Sequence, residues 1–333
     1  MRDRLISFLG IVALLISLQA EVRSQSTGTV EGQVLNMTVG GLPVAQAPVV
    51  LWAVDAEGEE DLFRGTTDDE GLVRFDDLDT VAQSYRLEVE HQGVSYLSEV
   101  MAFAEGEALL SLFVAVYDST ASDEDINIER AHVILEARSG TLSLQELQIF
   151  VNAGATTYSG GDATGGHTLR FSLPDGATQL RLPEDLIACC IAQAEGGFAY
   201  TMPVVPGQKE FFFSYELPYR SDSYTVSKKI LYPVRSLDVL VADTGVEVTG
   251  PGLTVGAPLT IRDQTYLHLT AQDVAAGADL ILQLGRLPLE GRLPPAQAPA
   301  SPILVRAVIG LGTLATLLVL AYPFVKQRRG AQT

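Results

Sequence analysis

Cysteine is nearly missing from this 333-residue chain: there are two, Cys189 and Cys190, and they are adjacent. A normal disulfide needs about 4.4–6.8 Å between its Cα atoms, so a neighbouring pair cannot staple distant strands. Stability must come from a hydrophobic core instead. Positive charge is also scarce, with 22 Lys and Arg against 41 Asp and Glu and a formal charge of −19. A field of that sign repels nucleic acid and anionic lipid headgroups. Nucleic acid is therefore excluded as a partner. Histidine is limited to His91, His132, His167 and His268, scattered without ligand spacing. They read as strand or loop residues. The single tryptophan, Trp52, stands in an apolar strand and is assigned to the core.

Catalytic motifs are missing too. The chain has no His-Glu-x-x-His, no Gly-x-Ser-x-Gly and no phosphate-binding loop. Gly310 to Ala315 matches a dinucleotide fingerprint formally, but it lies inside an apolar run with no preceding strand. Small residues there suit helix packing in a membrane.

What is present begins at the ends. Met1–Arg4 is basic, Leu5–Leu18 is an uncharged apolar run, and Leu18-Gln19-Ala20 offers a small-residue cleavage site. That is the layout of a secretory signal peptide. Residues 303–325 are almost wholly apolar and Lys326, Arg328 and Arg329 follow, as expected for one membrane span with a cytoplasmic basic tail. The expected topology is single-pass in the cell membrane, with the N-terminus outside or periplasmic. Without the signal peptide and the residues from 303 onward, 16 Lys and Arg face 40 Asp and Glu, a net −24. The prolines of residues 288–302 suit an extended stalk.

Between these ends the pattern is all-β. Tyr85-Arg86-Leu87-Glu88-Val89-Glu90 alternates strictly, and similar short runs recur from Thr29 to Tyr117. Frequent turns between them point to an antiparallel sandwich. Residues 118–125 form an acidic junction, and a second β-rich region occupies 126–287. Whether that region is one large sandwich or two small ones stays open. The expected architecture is thus tandem antiparallel β-sandwiches between a signal peptide and one C-terminal transmembrane helix.

Three segments of the first region carry a resemblance. They are Gly28-Thr29-Val30-Glu31-Gly32-Gln33-Val34, then Gly41-Leu42-Pro43-Val44-Ala45 leading into Val49–Trp52, and then Gly65 to Phe75. Residues 27–117 resemble the carboxypeptidase regulatory-like family, a transthyretin-like β-sandwich. The resemblance implies an accessory module of exported and surface proteins, without peptidase activity. In its third segment Asp68 can bond its own turn, Gly71 can take a positive φ, and Phe75 returns a ring to the core.

Asp123, Asp125, Asn127 and Glu129 place oxygen ligands at alternate positions, which suits Ca²⁺. A helix-loop-helix calcium site would need Gly where Ile128 stands and Glu where Ile134 stands. A solvated linker is the alternative. Cys189 and Cys190 lie in an apolar, strand-like run with no neighbouring base or cation, and read as buried inert thiols. Asn36-Met37-Thr38 is a glycosylation sequon if the host modifies exported proteins. Residues 159–166 read as a flexible loop. The function expected is a membrane-anchored, non-catalytic binding or scaffold protein, with a protein or carbohydrate ligand. The alternatives are an accessory subunit of an envelope complex for transport, insertion or cytochrome maturation, and an enzyme with an unrecognised site.

Overall fold

Period-two alternation sets the strands of the first region. In β1 (Thr27–Asn36) Val30 and Val34 point inward while Glu31 and Gln33 point out. There follow β2 (Leu42–Pro43), β3 (Pro48–Asp55), β4 (Glu60–Thr66) and β5 (Leu72–Asp79). The region closes with β6 (Gln83–His91), β7 (Val94–Leu97), β8 (Met101–Ala102) and β9 (Leu109–Val116). One sheet centres on β1, which pairs antiparallel with β2 and β5 and parallel with β9. The other runs β4-β3-β6-β7, with β8 also on β6. Their inner faces meet in a core that includes Val34, Leu51, Tyr85, Leu87 and Val114. Gly32 allows the two faces to close, since a Cβ there would stand 2.6 Å from Leu87 Cδ2.

The computed structural model describes residues 27–289, apart from 39, 56, 57, 59, 82 and 162–165. The expected signal peptide, membrane span and tail, and the stalk beyond 289, lie outside the described residues. Among the described residues no helix is long and apolar enough to cross a membrane.

The turn before β5 forms as its sequence requires. Asp68 Oδ1 accepts from the N–H groups of Glu70 and Leu72, Gly71 sits at φ +73°, and Phe75 is buried. Residues 95–100 alternate like one strand, but only 95–97 are strand, as part of β7, and β8 begins beyond them at Met101. There Ser98 Oγ takes the Leu87 N–H and interrupts the ladder.

The second region opens with β10 (Ser119–Thr120), β11 (Ile126–Arg138), β12 (Thr141–Asn152), β13 (Thr157–Tyr158), β14 (Leu169–Ser172) and β15 (Thr178–Arg181). Helix α1 (Glu184–Cys189) then leads into β16 (Ile191–Ala194), β17 (Gly197–Tyr200), β18 (Gly207–Pro218) and β19 (Tyr224–Lys229). The last strands are β20 (Val234–Ala242), β21 (Glu247–Thr249), β22 (Thr254–Val255), β23 (Leu259–Ile261), β24 (Gln264–Val274) and β25 (Asp279–Gly285). A large sheet runs β15-β18-β12-β11-β20-β24, with β22 and β23 on its β24 edge. Facing it are two three-stranded sheets, β14-β17-β16 and β19-β25-β21. One core joins all three, from Ile126 to Leu287. It is rich in rings: Phe171 stacks on Phe198 at 4.6 Å, and Phe150, Phe211 and Phe213 meet Phe171.

Two expectations fail locally. The run around Cys189 is not one strand but α1 followed by β16. Glu184 and Asp185 in the first turn favour helix, because carboxylates there meet the positive end of its dipole. Trp52 is not in the core either. It lies half-buried on the outer face of its sheet, with its Nε1–H donating to Glu88 Oε2 at 2.7 Å and the Arg86 guanidinium 5.2 Å from its ring.

Candidate functional site

The junction between the two cores carries a dense set of polar bonds. Asp118 stands two residues beyond β9, and its Oδ1 accepts from Asn36 Nδ2 at 2.8 Å and Gln92 Nε2 at 2.8 Å, and faces His91 Nε2 at 3.1 Å. Those contacts, led by the His91 hydrogen bond and then that of Asn36, hold its carboxyl below the ordinary carboxylate pKa. Its backbone completes the clamp, donating to Thr38 Oγ1 and accepting from Thr157 N, both at 2.8 Å. Thr38 Oγ1 in turn donates to Ala155 O, and Tyr96 O–H bonds Thr157 Oγ1 and Tyr117 O, all at 2.8 Å. Residues of the first region thus grip β13 and the turn before it. Asn36, the acceptor of the sequon, spends its amide on this clamp.

The calcium candidates are not brought together. Asp123 and Asp125 are exposed in the turn before β11, while Asn127 and Glu129 are already part of that strand. Glu129 pairs with Arg235 at 3.2 Å. Among the described residues no three His, Cys, Asp or Glu side chains gather as a metal site. For Asn127 and Glu129 the reason is extension, since residues two apart in a strand are spaced about 7 Å along it.

Two histidines that look scattered in sequence do meet. β11 pairs parallel with β20 and β20 antiparallel with β24, which sets His132, Asp238 and His268 on one outer face. His268 Nε2 lies 2.8 Å from Asp238 Oδ1, and His132 Nδ1 lies 3.6 Å from Oδ2. Burial lowers the His132 pKa, against the raising effect of Asp238. The row ties three strands together.

A second polar group lies inside the aromatic core. Glu146 and Gln148 occupy inward positions of β12, and Lys228 comes from β19 in the opposite layer. Lys228 Nζ donates to both Glu146 oxygens, at 2.6 and 2.5 Å, and Tyr215 O–H and Gln148 Nε2 donate to the same carboxylate. Glu146 is 2% exposed and Lys228 6%. Burial first, and then the Glu146 charge, push the Tyr215 pKa up. A cavity of about 30 Å³ beside the pair is large enough for a water molecule. The sequence held a signal for this cluster, since Glu146 and Gln148 fall in phase with Leu144 and Phe150.

An open groove of about 570 Å³ separates β14 from β19, the facing edges of the two small sheets. Ser172 Oγ, from the first of these strands, donates to Lys229 O of the second at 2.5 Å. Phe171, Phe198 and Leu231 line the groove, with Arg170, Tyr224 and Asp279 among the polar groups. Its size suits a small ligand or a short extended segment. The cysteines lie on the far end of β16 from this groove. Their sulfurs are joined, Cys190 is buried, and Cys189 is exposed, contrary to the expectation of two buried thiols.

No family model matches the chain, and no curated protein matches it. Among solved structures it is similar to the full-length major pilin SpaD of Corynebacterium diphtheriae, at 11% identity over 86% of this chain and 92% of the pilin, with a TM-score of 0.22. It is also similar to BcpA, the major pilin subunit of Bacillus cereus, at 9% identity over 79% of this chain and 85% of BcpA, with a TM-score of 0.20. Scores this low carry no argument about function.

Proposed function

We propose that this chain is a membrane-anchored, extracytoplasmic binding or scaffold protein that performs no catalysis. The observation that carries this reading is the clamp at Asp118, which couples two separately cored regions through side-chain and backbone bonds on both sides. Such a coupling transmits orientation and load, which is what a spacer or presenting scaffold requires. The leader-like N-terminus, the apolar segment 303–325 and the proline-rich stretch before it support tandem sandwiches held off a membrane by a single C-terminal helix. The first region is read as a carboxypeptidase regulatory-like module on its three sequence segments. The groove between β14 and β19 supports a binding role, with a protein segment or a carbohydrate as ligand. Two open strand edges in one groove favour one variant of the reading, an accessory subunit of an envelope complex that receives a strand from its partner.

The test is fractionation of cells expressing the full chain with a tag after Thr333, followed by cross-linking and affinity capture from detergent-solubilised membranes. The expected result is recovery in washed membranes, external protease access to the residues before 303, and one reproducible cross-linked partner. Recovery in the soluble cytoplasmic fraction would sink the anchoring, and capture of no partner across growth conditions would sink the binding role.

A further inference from the structure

β14 and β19 face each other across the groove without a ladder between them. Side chains bridge the gap instead: the Ser172 hydroxyl bonds Lys229 O, and the Tyr232 hydroxyl accepts from Arg170 N. From Lys229 toward Tyr224 the edge of β19 lines the groove through Ser227 and Thr225. Main-chain groups of successive strand residues point to opposite sides. Ile230 turns its N–H and C=O to Ala278 and Gly277 on the β25 side, so Lys229, Ser227 and Thr225 turn theirs to the groove. No described residue bonds the main chain of Thr225 or Ser227 on that side. The groove is apolar within, at Phe171, Phe198 and Leu231, and charged at its rim. Of the rim charges, Lys229 pairs with Asp279 at 3.0 Å and Arg170 stands beside the Tyr232 phenol. Asp175 and Glu195 are exposed and have no ion pair among the described residues.

The chain itself returns to the mouth of this groove. β25 ends beside Tyr224; Leu287 N–H then bonds Asp222 O, and Pro288 O accepts from Gly140 N–H and the Tyr219 hydroxyl. Gly140 lies in the turn between β11 and β12, the strands whose Ala131, Val133, Glu146 and Gln148 line the cavity beside Ser172 and Lys229. From Leu287 to Leu293 the sequence reads Leu-Pro-Leu-Glu-Gly-Arg-Leu. Leu287, Leu289 and Leu293 fall in phase, with Gly291 between them, while Glu290 and Arg292 fall on the other face, as in a strand with one apolar side. Pro294 and Pro295 have no N–H and end any ladder there. Arg292 is the one cation between Arg286 and Arg306.

We propose that residues 290–293 occupy the groove of their own chain, laid along the free edge of β19. Their main chain bonds Thr225 and Ser227, Leu293 meets Phe171 and Leu231, and Arg292 meets Asp175 and Glu195. Glu290 stays at the mouth, in solvent. This rests on the reading of the groove as a strand acceptor and names what fills it, so a partner's strand has to displace the chain's own. The spacer toward residue 303 then begins at Pro294.

The experiment follows amide hydrogen exchange at Thr225 and Ser227 in the detergent-solubilised full chain, and in a full chain with residues 290–293 replaced by Gly-Ser-Gly-Ser. The expected result is exchange at least about tenfold slower in the native sequence, at every protein concentration. Arg292→Glu should speed exchange about two- to fivefold, and adding Asp175→Lys to it should bring the rate back. Fast exchange in both chains overturns the proposal and leaves the groove an empty acceptor. Slow exchange in both overturns it together with the acceptor reading, because the edge is then closed without the segment. Protection that grows with protein concentration also overturns it, since the segment then comes from a second copy.

Discussion

The two cores are built on opposite principles. The first, between Val30 and Val116, is mostly aliphatic, and among the described residues it buries no charged side chain; the buried Thr67 hydroxyl donates to Val44 O and accepts from Ala47 N. The second has a ring-rich centre and an ion pair inside it, Glu146 with Lys228. A buried pair of this kind is weak evidence for stability, because desolvation offsets the attraction, yet breaking it is expensive. Substitution should therefore act differently in the two regions. The aliphatic core should respond to lost volume, and the aromatic core most strongly to lost charge balance.

The largest expected effect is Lys228→Met, which leaves Glu146 charged and unpaired in the core. It should destabilise the second region by about 3–5 kcal/mol. Chemical unfolding followed by a probe in each region should show the second transition moving and the first staying in place. The triple variant Glu146→Met, Lys228→Met, Tyr215→Phe should recover most of that loss, since it removes the charges together with the phenol that Glu146 accepts from. Failure to recover would mean that the pair does more than balance its own charges.

Next comes Leu87→Ala in the first core, with an expected cost of roughly 2–5 kcal/mol from lost contacts and cavity formation. This loss should be the same at pH 5 and pH 8. A pH-dependent loss would show that the first core is not the apolar counterpart described above.

Smaller still is the junction. Tyr96→Phe removes the hydroxyl that bonds Thr157 Oγ1 and Tyr117 O, and should weaken the coupling by about 1 kcal/mol, so that the two unfolding transitions separate. Asp118 adds a pH dependence with a definite sign. Its folded pKa lies below the ordinary 3.8, first because of the His91 hydrogen bond and then that of Asn36. Its contribution is therefore fully present above the unfolded pKa and is lost as pH falls through the folded one. Coupling measured from pH 6 to pH 2.5 should hold to about pH 5 and decline below about pH 4. Coupling that improves with acid would reverse the assignment. The smallest expected effect is that of calcium: melting temperatures with Ca²⁺ and with chelator should coincide, and a rise of several degrees would restore a site at Asp123–Glu129.

Much of the first region could be read directly from the chain. Tyr85–Glu90 alternates strictly, and the Asp68–Gly71 turn makes its bonds within five residues, so both follow from local chemistry. In the second region the alternation marks β11, β12, β14, β18, β19, β20, β24 and β25. The short β15, β21, β22 and β23 hold too few residues for any period to show. Trp52 was misplaced because an apolar run does not say which of its two faces is the buried one. The calcium candidates were drawn together by their spacing in sequence, but the chain turns at Asp123 and Asp125 and is extended at Asn127 and Glu129.

The cysteines show where the division falls. By itself, the sequence determined that Cys189 and Cys190 can bond only to each other, because the peptide bond fixes their separation. It also determined that the acidic, mostly β chain must rely on hydrophobic burial, because no other cross-link was to hand. Only the tertiary structure decided that one sulfur faces solvent and the other the core, and that Asp118, His91 and Asn36 meet. Only it placed Lys228 on Glu146, 82 residues away. Those outcomes depend on strand pairing and sheet packing between distant segments, which no local pattern encodes.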